Sequence, residues 1–139
     1  PIILIVTYLS FALPFAIWML TTFFETVPIE LEDAALIDGS SRLGTLFRVV
    51  LPVAAPGIVS TALFTFLLAW DEFFFALLFT STIQAKTVPV AIAEFTGRYA
   101  VDITAMMTGG VLAALPPVIL ALIFQRYIVS GLSAGAVKG

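Results

Sequence analysis

The sequence contains no cysteine and no histidine among its 139 residues. Without cysteine the chain can form no disulfide bond and offer no thiolate to a metal ion. Without histidine it lacks the commonest general base and the commonest metal ligand. These absences exclude disulfide-stapled folds, thiolate metal sites and every catalytic pair of serine or cysteine with histidine.

Charged residues are also scarce: they make up 11% of the chain, whereas 61% of the residues are hydrophobic. The mean hydropathy is +1.15. A soluble domain carries about 25% charged and about 45–50% apolar residues, and a core of this size could not hide the excess from water. The composition therefore predicts lipid as the solvent. A net charge of −3 without a basic stripe argues against a nucleic-acid-binding protein.

Three charge-free runs are each long enough to cross a bilayer as a helix: residues 1–24, 49–70 and 103–125. A hydrocarbon core about 30 Å thick requires roughly 20 helical residues. The further apolar run at residues 73–85 is too short, so we expect a bend near Asp71 and Glu72 followed by a short half-helix. The expected fold class is an all-α, polytopic membrane bundle with about three spanning helices.

The basic residues predict the orientation, because cytoplasmic loops are enriched in lysine and arginine. We expect residues 26–48 and the tail, residues 127–139, to be cytoplasmic and residues 71–102 to form the outer region. That arrangement puts Arg42, Arg48, Arg126 and Lys138 on the cytoplasmic side, and Lys86 and Arg98 on the other. Because the first residue is proline and no basic segment precedes the first run, we expect a piece of a longer polypeptide.

The polar segment at residues 26–48 is predicted to form two short helices joined by a glycine turn. Gly39 can take the left-handed conformation that ends a helix, and Ser40 or Ser41 can cap the next one. Leu43, Phe47 and Val50 would then share one face of the second helix. The first helix would present a small-residue face that lets a partner approach closely; an ordinary connection between membrane helices is the alternative.

The order of residues in this segment resembles the EAA loop of binding-protein-dependent ABC importers. It reads Leu31-Glu32-Asp33-Ala34-Ala35-Leu36-Ile37-Asp38-Gly39, followed by Leu51-Pro52 and Pro56-Gly57. Asp33 stands where the family usually has glutamate, and the charge is kept. The tail from Gln125 and the stretch Trp70-Asp71-Glu72-Phe73 resemble the carbohydrate-uptake branch, in particular its second, maltose-transporter-type permease subunit.

The resemblance implies that residues 1–139 are the C-terminal half of one permease transmembrane domain in a bacterial or archaeal inner membrane. The implied function is sugar import by alternating access. The implied partners are a cytoplasmic ABC ATPase dimer, a second and different permease chain, and an extracytoplasmic solute-binding protein. ATP and Mg²⁺ would be used by the ATPase, and this chain would be neither an enzyme nor a holder of a metal or cofactor.

The resemblance also implies which residues would meet the ATPase. The first helix of the loop would lie in a surface groove of the ATPase and act as a coupling helix. Its contact residues would be Leu31, Glu32, Asp33, Ala34, Ala35, Asp38 and Gly39. In this family the tail also reaches toward the ATPases, which implies contacts for Gly135 and Lys138.

Trp70, Asp71, Glu72 and Phe73 are candidates for the border of a substrate path, because ionisable groups in membrane segments are costly and often functional. The alternative places them at the outer interface, where acids cost little and tryptophan is enriched. An intramembrane enzyme using Asp71 and Glu72 is disfavoured, since adjacent helical residues point to different sides. An ATP-independent channel or assembly subunit stays open.

The substrate also stays open among sugars, polyols and glycerol phosphate esters. The three charge-free runs contain no lysine or arginine to bind a phosphate, which favours a neutral sugar. Phe73, Phe74, Phe75 and Phe79 are expected to pack or to face lipid rather than to form a sugar slide. Gly109 and Gly110 can let another helix approach closely; a local weakening of the helix is the alternative.

Overall fold

The computed structural model describes residues 2–80, 85–95 and 102–136, with side chains through Val129. Every regular element in those ranges is helical. In chain order the elements are α1 (Ile2–Phe24), α2 (Ile29–Ile37), α3 (Arg42–Thr45), a π-helical turn (Leu46–Val50), α4 (Leu51–Trp70), α5 (Phe74–Phe79), α6 (Val88–Ala93) and α7 (Ile103–Ala136).

Within the described ranges, three stretches of helix are long and apolar enough to cross a bilayer: Ile2–Phe24, Arg42–Trp70 and Ile103–Val129. The rest of the described chain covers little of them, since 6%, 33% and 0% of their most apolar windows are buried. Apolar surface this open needs lipid or further membrane helices to cover it. The predicted fold class, a helical integral membrane protein, is confirmed.

Two boundaries differ from the sequence prediction. The second spanning helix begins at Arg42 rather than at residue 49, because α3, the π-helical turn and α4 run on without a break. The third continues to Ala136, so the segment predicted as a tail from residue 127 is helical as far as the structure describes it. Both differences arise because the sequence prediction ended each span at a charged residue. Arg48 and Arg126 interrupt the charge-free runs, but arginine is a good helix former, so the helix continues through both.

The contacts divide the chain into two compact units. Unit 1 comprises Pro1–Pro14 and Phe64–Ile123, and unit 2 comprises Phe15–Leu63 and Phe124–Gly139. Unit 2 therefore holds the predicted coupling segment, and unit 1 holds the predicted substrate path.

The packing of unit 2 depends on a glycine and a serine of α4. Gly57 lies so close to Phe23 of α1 that a Cβ at position 57 would come within 2.1 Å of the Phe23 ring. Ser60 is fully buried, and its hydroxyl lies 2.6 Å from the carbonyl oxygen of Tyr127 in α7 and 2.8 Å from that of Pro56. Close approach at a small residue and a hydrogen bond between helices both stabilise helix packing in lipid.

The packing of unit 1 depends on aromatic rings. Tyr8 contacts Phe11 within α1, Phe11 stacks on Phe75 of α5, and Phe75 stacks on Phe79, with centroid distances of 5.7, 6.4 and 6.3 Å. Phe74 is 62% exposed, so the phenylalanine run divides between rings that pack within unit 1 and an open face. Gly109 of α7 allows the predicted close approach, since a Cβ there would lie 3.2 Å from Ile92 of α6. At Gly110 a Cβ would meet nothing within 4 Å among the described residues.

Candidate functional site

The first candidate site is the outward face of α2, which carries most of the predicted coupling residues. None of the nine residues of α2 is buried. Asp33, Ala34 and Ile37 lie on one exposed face, and Ile37 is 85% exposed. A large aliphatic side chain this open, beside a carboxylate and an alanine, is a surface that a partner can cover.

The remaining predicted coupling residues surround this face. Leu31 is 41% exposed, Asp38 and Gly39 are exposed, and Ala35 is half-buried. The two adjacent alanines therefore do not form one flat outward face: Ala34 points outward and Ala35 lies partly covered. The structure gathers all seven residues on one helix and its C-terminal turn but leaves Glu32 on the opposite side.

Glu32 lines an open cleft of about 400 Å³ on the inner side of α2. Leu36 contributes to the same wall, and Arg42 and Leu46 line the cleft from α3 and the π-helical turn. Beneath them Thr45 is 4% exposed, and its hydroxyl is buried without a hydrogen-bond partner. Through this packing α2 lies against the start of the helix that continues as α4.

The turn after α2 is a glycine C-cap. The N–H of Ser40 donates to the carbonyl of Ala35, and the N–H of Gly39 donates to that of Leu36, both at 3.0 Å. This pair of bonds defines the Schellman motif. Gly39 has φ of 86°, a conformation in which a Cβ clashes with the backbone. The glycine turn predicted from the sequence is confirmed, and it fixes the direction in which α2 leaves the membrane helix.

The start of α3 is capped by Ser41, whose Oγ accepts a hydrogen bond from the N–H of Gly44 at 3.1 Å. The face predicted for the next residues is wrong. Leu43 and Phe47 are 68% and 65% exposed, whereas Val50 is 8% exposed. A π-helical turn holds one more residue than an α-helical turn, so the turn at Leu46–Val50 rotates Val50 away from the other two.

The second candidate site is a cavity of unit 1, about 430 Å³ in volume, beside the end of α4. Trp70 and Asp71 line it from α4, Pro89 and Ile92 from α6, and Gly110 with its neighbours from α7. Asp71 is exposed and is the one charged group among those lining residues. The Trp70 indole N–H donates to the carbonyl of Ala113 at 3.2 Å, which fixes the ring as a wall of the cavity.

Glu72 points elsewhere, although it is the neighbour of Asp71. Its Oε1 accepts a hydrogen bond from the N–H of Phe75 at 2.8 Å. Its Oε2 accepts bonds from the N–H of Ala76 and from the hydroxyl of Tyr8, both at 3.0 Å. Both carboxylate oxygens are therefore engaged within the protein, and the carboxylate does not line the cavity of Asp71.

The structure thus separates the four predicted path residues. Trp70 and Asp71 line the cavity, Glu72 is engaged with α1 and α5, and Phe73 precedes α5 with 39% exposure. The acid pair offers no two facing carboxylates for acid–base catalysis. Within residues 2–80, 85–95 and 102–136, no group of three or more acidic side chains could hold a metal ion.

Lys86, the basic residue of unit 1 within the described ranges, does not line this cavity. Lys86 forms an ion pair with Glu94, and its side chain is 16% exposed. Arg98 lies outside the described residues, as does Lys138 of the predicted tail. Gly135, the other predicted tail contact, lies within α7.

Sequence reasoning missed Tyr8, Ser60 and the π-helical turn. Tyr8 and Ser60 lie inside charge-free runs, where a single hydroxyl gives little signal. Their positions could have been suspected only from the rule that a hydroxyl in a membrane helix needs an acceptor. No composition or spacing rule marks the π-helical turn.

Comparison with known proteins gives a family match over almost the whole chain. A family model described as "Binding-protein-dependent transport system inner membrane component" matches residues 1–134. The trehalose/maltose transport system permease protein MalG of Thermococcus litoralis is 48% identical over 133 residues, which make up 95% of this chain and 48% of that protein.

Two further relatives cover the same length. The trehalose transport system permease protein SugB of Mycobacterium tuberculosis is 44% identical over 138 residues, 98% of this chain and 50% of that protein. The sulfoquinovosyl glycerol transport system permease protein SmoH of Agrobacterium fabrum is 43% identical over 136 residues, 98% of this chain and 48% of that protein. The chain spans about half the length of the curated relatives it matches.

Proposed function

The chain belongs to the family of inner membrane components of binding-protein-dependent transport systems, and we propose that it forms the C-terminal half of a sugar-importing ABC permease subunit. It is a multi-pass membrane protein. Its relatives are named as permease proteins, which are transporter subunits rather than enzymes. The proposed substrate is a neutral sugar, moved by alternating access.

The observation that carries this proposal is the exposed face of α2 next to the Gly39 turn. Asp33, Ala34 and an 85% exposed Ile37 form a face that the described chain leaves uncovered. We assign it to a groove of a cytoplasmic ABC ATPase. Glu30 is exposed in the first turn of α2, one turn before Asp33. The carboxylates of Glu30 and Asp33 would meet basic groups of the groove, Ala34 would allow close approach, and Ile37 would enter an apolar pocket.

The path of movement follows from the packing of unit 2. α2 lies against α3 and the π-helical turn, which continue into α4 without a break. A displacement of α2 by the ATPase would therefore be carried into a spanning helix rather than absorbed in a loop. ATP and Mg²⁺ would be bound and used in the ATPase dimer, with residues 26–48 and the C-terminus on the cytoplasmic side.

The tail and the other partners complete the proposed assembly. Gly135 and Lys138 would add a second contact with the ATPases. A second, homologous permease chain would cover the apolar faces of α1 and α7 that the described residues leave open, together with the other half of this permease. An extracytoplasmic binding protein would deliver the substrate.

The substrate path is proposed along the cavity of Trp70 and Asp71. An indole ring beside a carboxylate suits a sugar, because the ring packs on the apolar face of a pyranose and the carboxylate accepts its hydroxyl hydrogen bonds. The described residues that line the cavity include no cation, and Lys86 is already paired. We therefore favour a trehalose- or maltose-like neutral substrate over an anionic phosphate ester or sulfonate.

The test is sugar uptake into vesicles that contain the whole importer. The wild-type importer should take up trehalose or maltose only when ATP is present on the side of the membrane that carries the ATPase and the binding protein is present on the opposite side. Gly39→Val forces a β-branched residue into φ of 86°, a strain of about 1–3 kcal/mol. We expect it to weaken ATPase attachment by roughly 10- to 100-fold and to lower uptake accordingly.

Gly110→Val is the matched control, because a Cβ at Gly110 meets nothing within 4 Å and its φ is not positive. It should leave the ATPase attached as in wild type; it is a control for attachment alone, because Gly110 lines the cavity. Full uptake and attachment in Gly39→Val would overturn the assignment of α2. Flux of sugar without nucleotide would instead favour the ATP-independent channel.

A further inference from the structure

Glu72 and Asp71 are adjacent in sequence but have different surroundings. Asp71 lines the cavity beside Trp70, whereas Glu72 is half-buried and accepts three hydrogen bonds from groups of the chain itself. A half-buried carboxylate with three of its roughly four acceptor sites in use is a poor ligand for a passing sugar hydroxyl. The two acids therefore cannot share one role.

The bonds of Glu72 explain why α4 ends where it does. The sequence has neither glycine nor proline between Trp70 and Phe75, so the usual helix breakers are absent. In an uninterrupted helix the N–H groups of Phe75 and Ala76 would donate to the carbonyls of Asp71 and Glu72. Here both donate to the carboxylate of Glu72, which replaces the backbone acceptors and caps the start of α5.

The third bond fastens this break to another helix. The Tyr8 hydroxyl of α1 donates to Oε2 of Glu72, and beside it Phe11 of α1 stacks on Phe75 of α5. The polar contact and the aromatic contact join the same two elements. Hydrogen bonds to an ionised acceptor are about twice as strong as neutral ones, so the carboxylate is the central part of this junction.

We propose that Glu72 is a positioning residue: its carboxylate joins the break between α4 and α5 to Tyr8 of α1 and so fixes Asp71 and Trp70 at the cavity wall, without touching the substrate itself. Asp71 is then the substrate-facing member of the pair. The transport part of this inference rests on the proposed function, whereas the structural part stands on the geometry alone.

The structural part is tested by the distance between α1 and α5 in the complete importer. Because this chain contains no cysteine, spin labels can be attached to cysteines that replace Ile5 and Leu78, which are 58% and 60% exposed. We expect a single narrow distance distribution in wild type and a clearly broader one in both Glu72→Gln and Tyr8→Phe. An unchanged distribution in both variants would overturn the junction.

The functional part is tested by the sugar concentration that gives half-maximal uptake. A glutamine at position 72 keeps the size of the side chain, but its NH₂ group cannot accept a backbone N–H. We expect Glu72→Gln and Asp71→Asn each to raise that concentration on the order of tenfold, with the amount of assembled complex within about twofold of wild type. Tyr8→Phe should raise it roughly threefold.

The double variant separates a positioning role from independent contacts. If Glu72 acts through Asp71, the sugar concentration for half-maximal uptake in the double variant Asp71→Asn/Glu72→Gln should exceed that of either single variant by no more than about twofold. The inference would be overturned if the increases of the two single variants multiplied in the double variant, or if Glu72→Gln took up sugar like wild type. If the wild-type importer takes up no sugar while the label distances still broaden in Glu72→Gln and Tyr8→Phe, the proposed function fails and the junction stands.

Discussion

The chain ends α2 and α4 by two chemically different means. After α2 the backbone itself reverses, at a glycine with φ of 86° and with carbonyls of the same helix as acceptors. After α4 a side chain interrupts the helix, as the carboxylate of Glu72 takes the N–H groups that the backbone would otherwise use. The first ending is local, whereas the second depends on a partner in α1.

This difference matters for how each region can move. The Gly39 turn needs no contact outside α2 and Ser40, so it can travel as part of a rigid α2 when a partner displaces that helix. The Glu72 break ties two distant parts of unit 1 together through the bond to Tyr8. We therefore expect substitutions at the first ending to affect partner binding and those at the second to affect the cavity.

Among the changes that test this comparison, Glu72→Ala should lower the stability of the importer most. It leaves the N–H groups of Phe75 and Ala76 and the hydroxyl of Tyr8 without their acceptor, at a cost of about 3 kcal/mol or more. We expect a lower melting temperature of the purified importer and less of it in the membrane. A melting temperature equal to that of wild type would show that the break does not depend on the carboxylate.

Two substitutions of Gly39, by asparagine and by alanine, should give the next largest effect, a stepwise loss of ATPase binding. Gly39→Ala places a Cβ in the left-handed region and costs about 1–2 kcal/mol, whereas asparagine tolerates that region better. ATPase binding, measured by co-purification, should fall in the order glycine, asparagine, alanine. If alanine binds better than asparagine, the conformation of Gly39 is not what the partner requires.

Ser41→Ala should have the smallest effect of the three changes. It removes the acceptor for the N–H of Gly44, and the loss of such a cap costs about 1 kcal/mol. Ser40→Ala, which leaves that hydrogen bond intact, is the matched control. Hydrogen exchange of the Gly44 amide should quicken in the first variant and not in the second; equal rates in both would contradict the capping role of Ser41.

The sequence predicted the glycine ending well and the carboxylate ending only in part. Gly39 and the serine cap follow from rules about single residues, so their structural roles were predictable without a fold. The bend at Asp71 was expected from a run of apolar residues too long for one span, but the division of the acid pair was not. That division depends on Tyr8, which is 64 positions away in sequence.

The exposed faces of the helices show the same limit of prediction from sequence. Composition alone predicted membrane helices, because hydropathy is summed over many residues and local errors cancel. The face shared by Leu43, Phe47 and Val50 was wrong because one π-helical turn changes the register. The roles of individual residues in partner binding and in the substrate path remain predictions.

The most direct test of the central claim is site-specific cross-linking from α2 in the assembled importer. A photoreactive amino acid at Ala34 lies on the exposed face of α2, and the same group at Leu77, which is 50% exposed in α5, is the control. We predict an adduct with the ATPase from position 34 and none from position 77. No ATPase adduct from position 34, in a complex that still contains the ATPase, would contradict the assignment of α2 as the coupling helix.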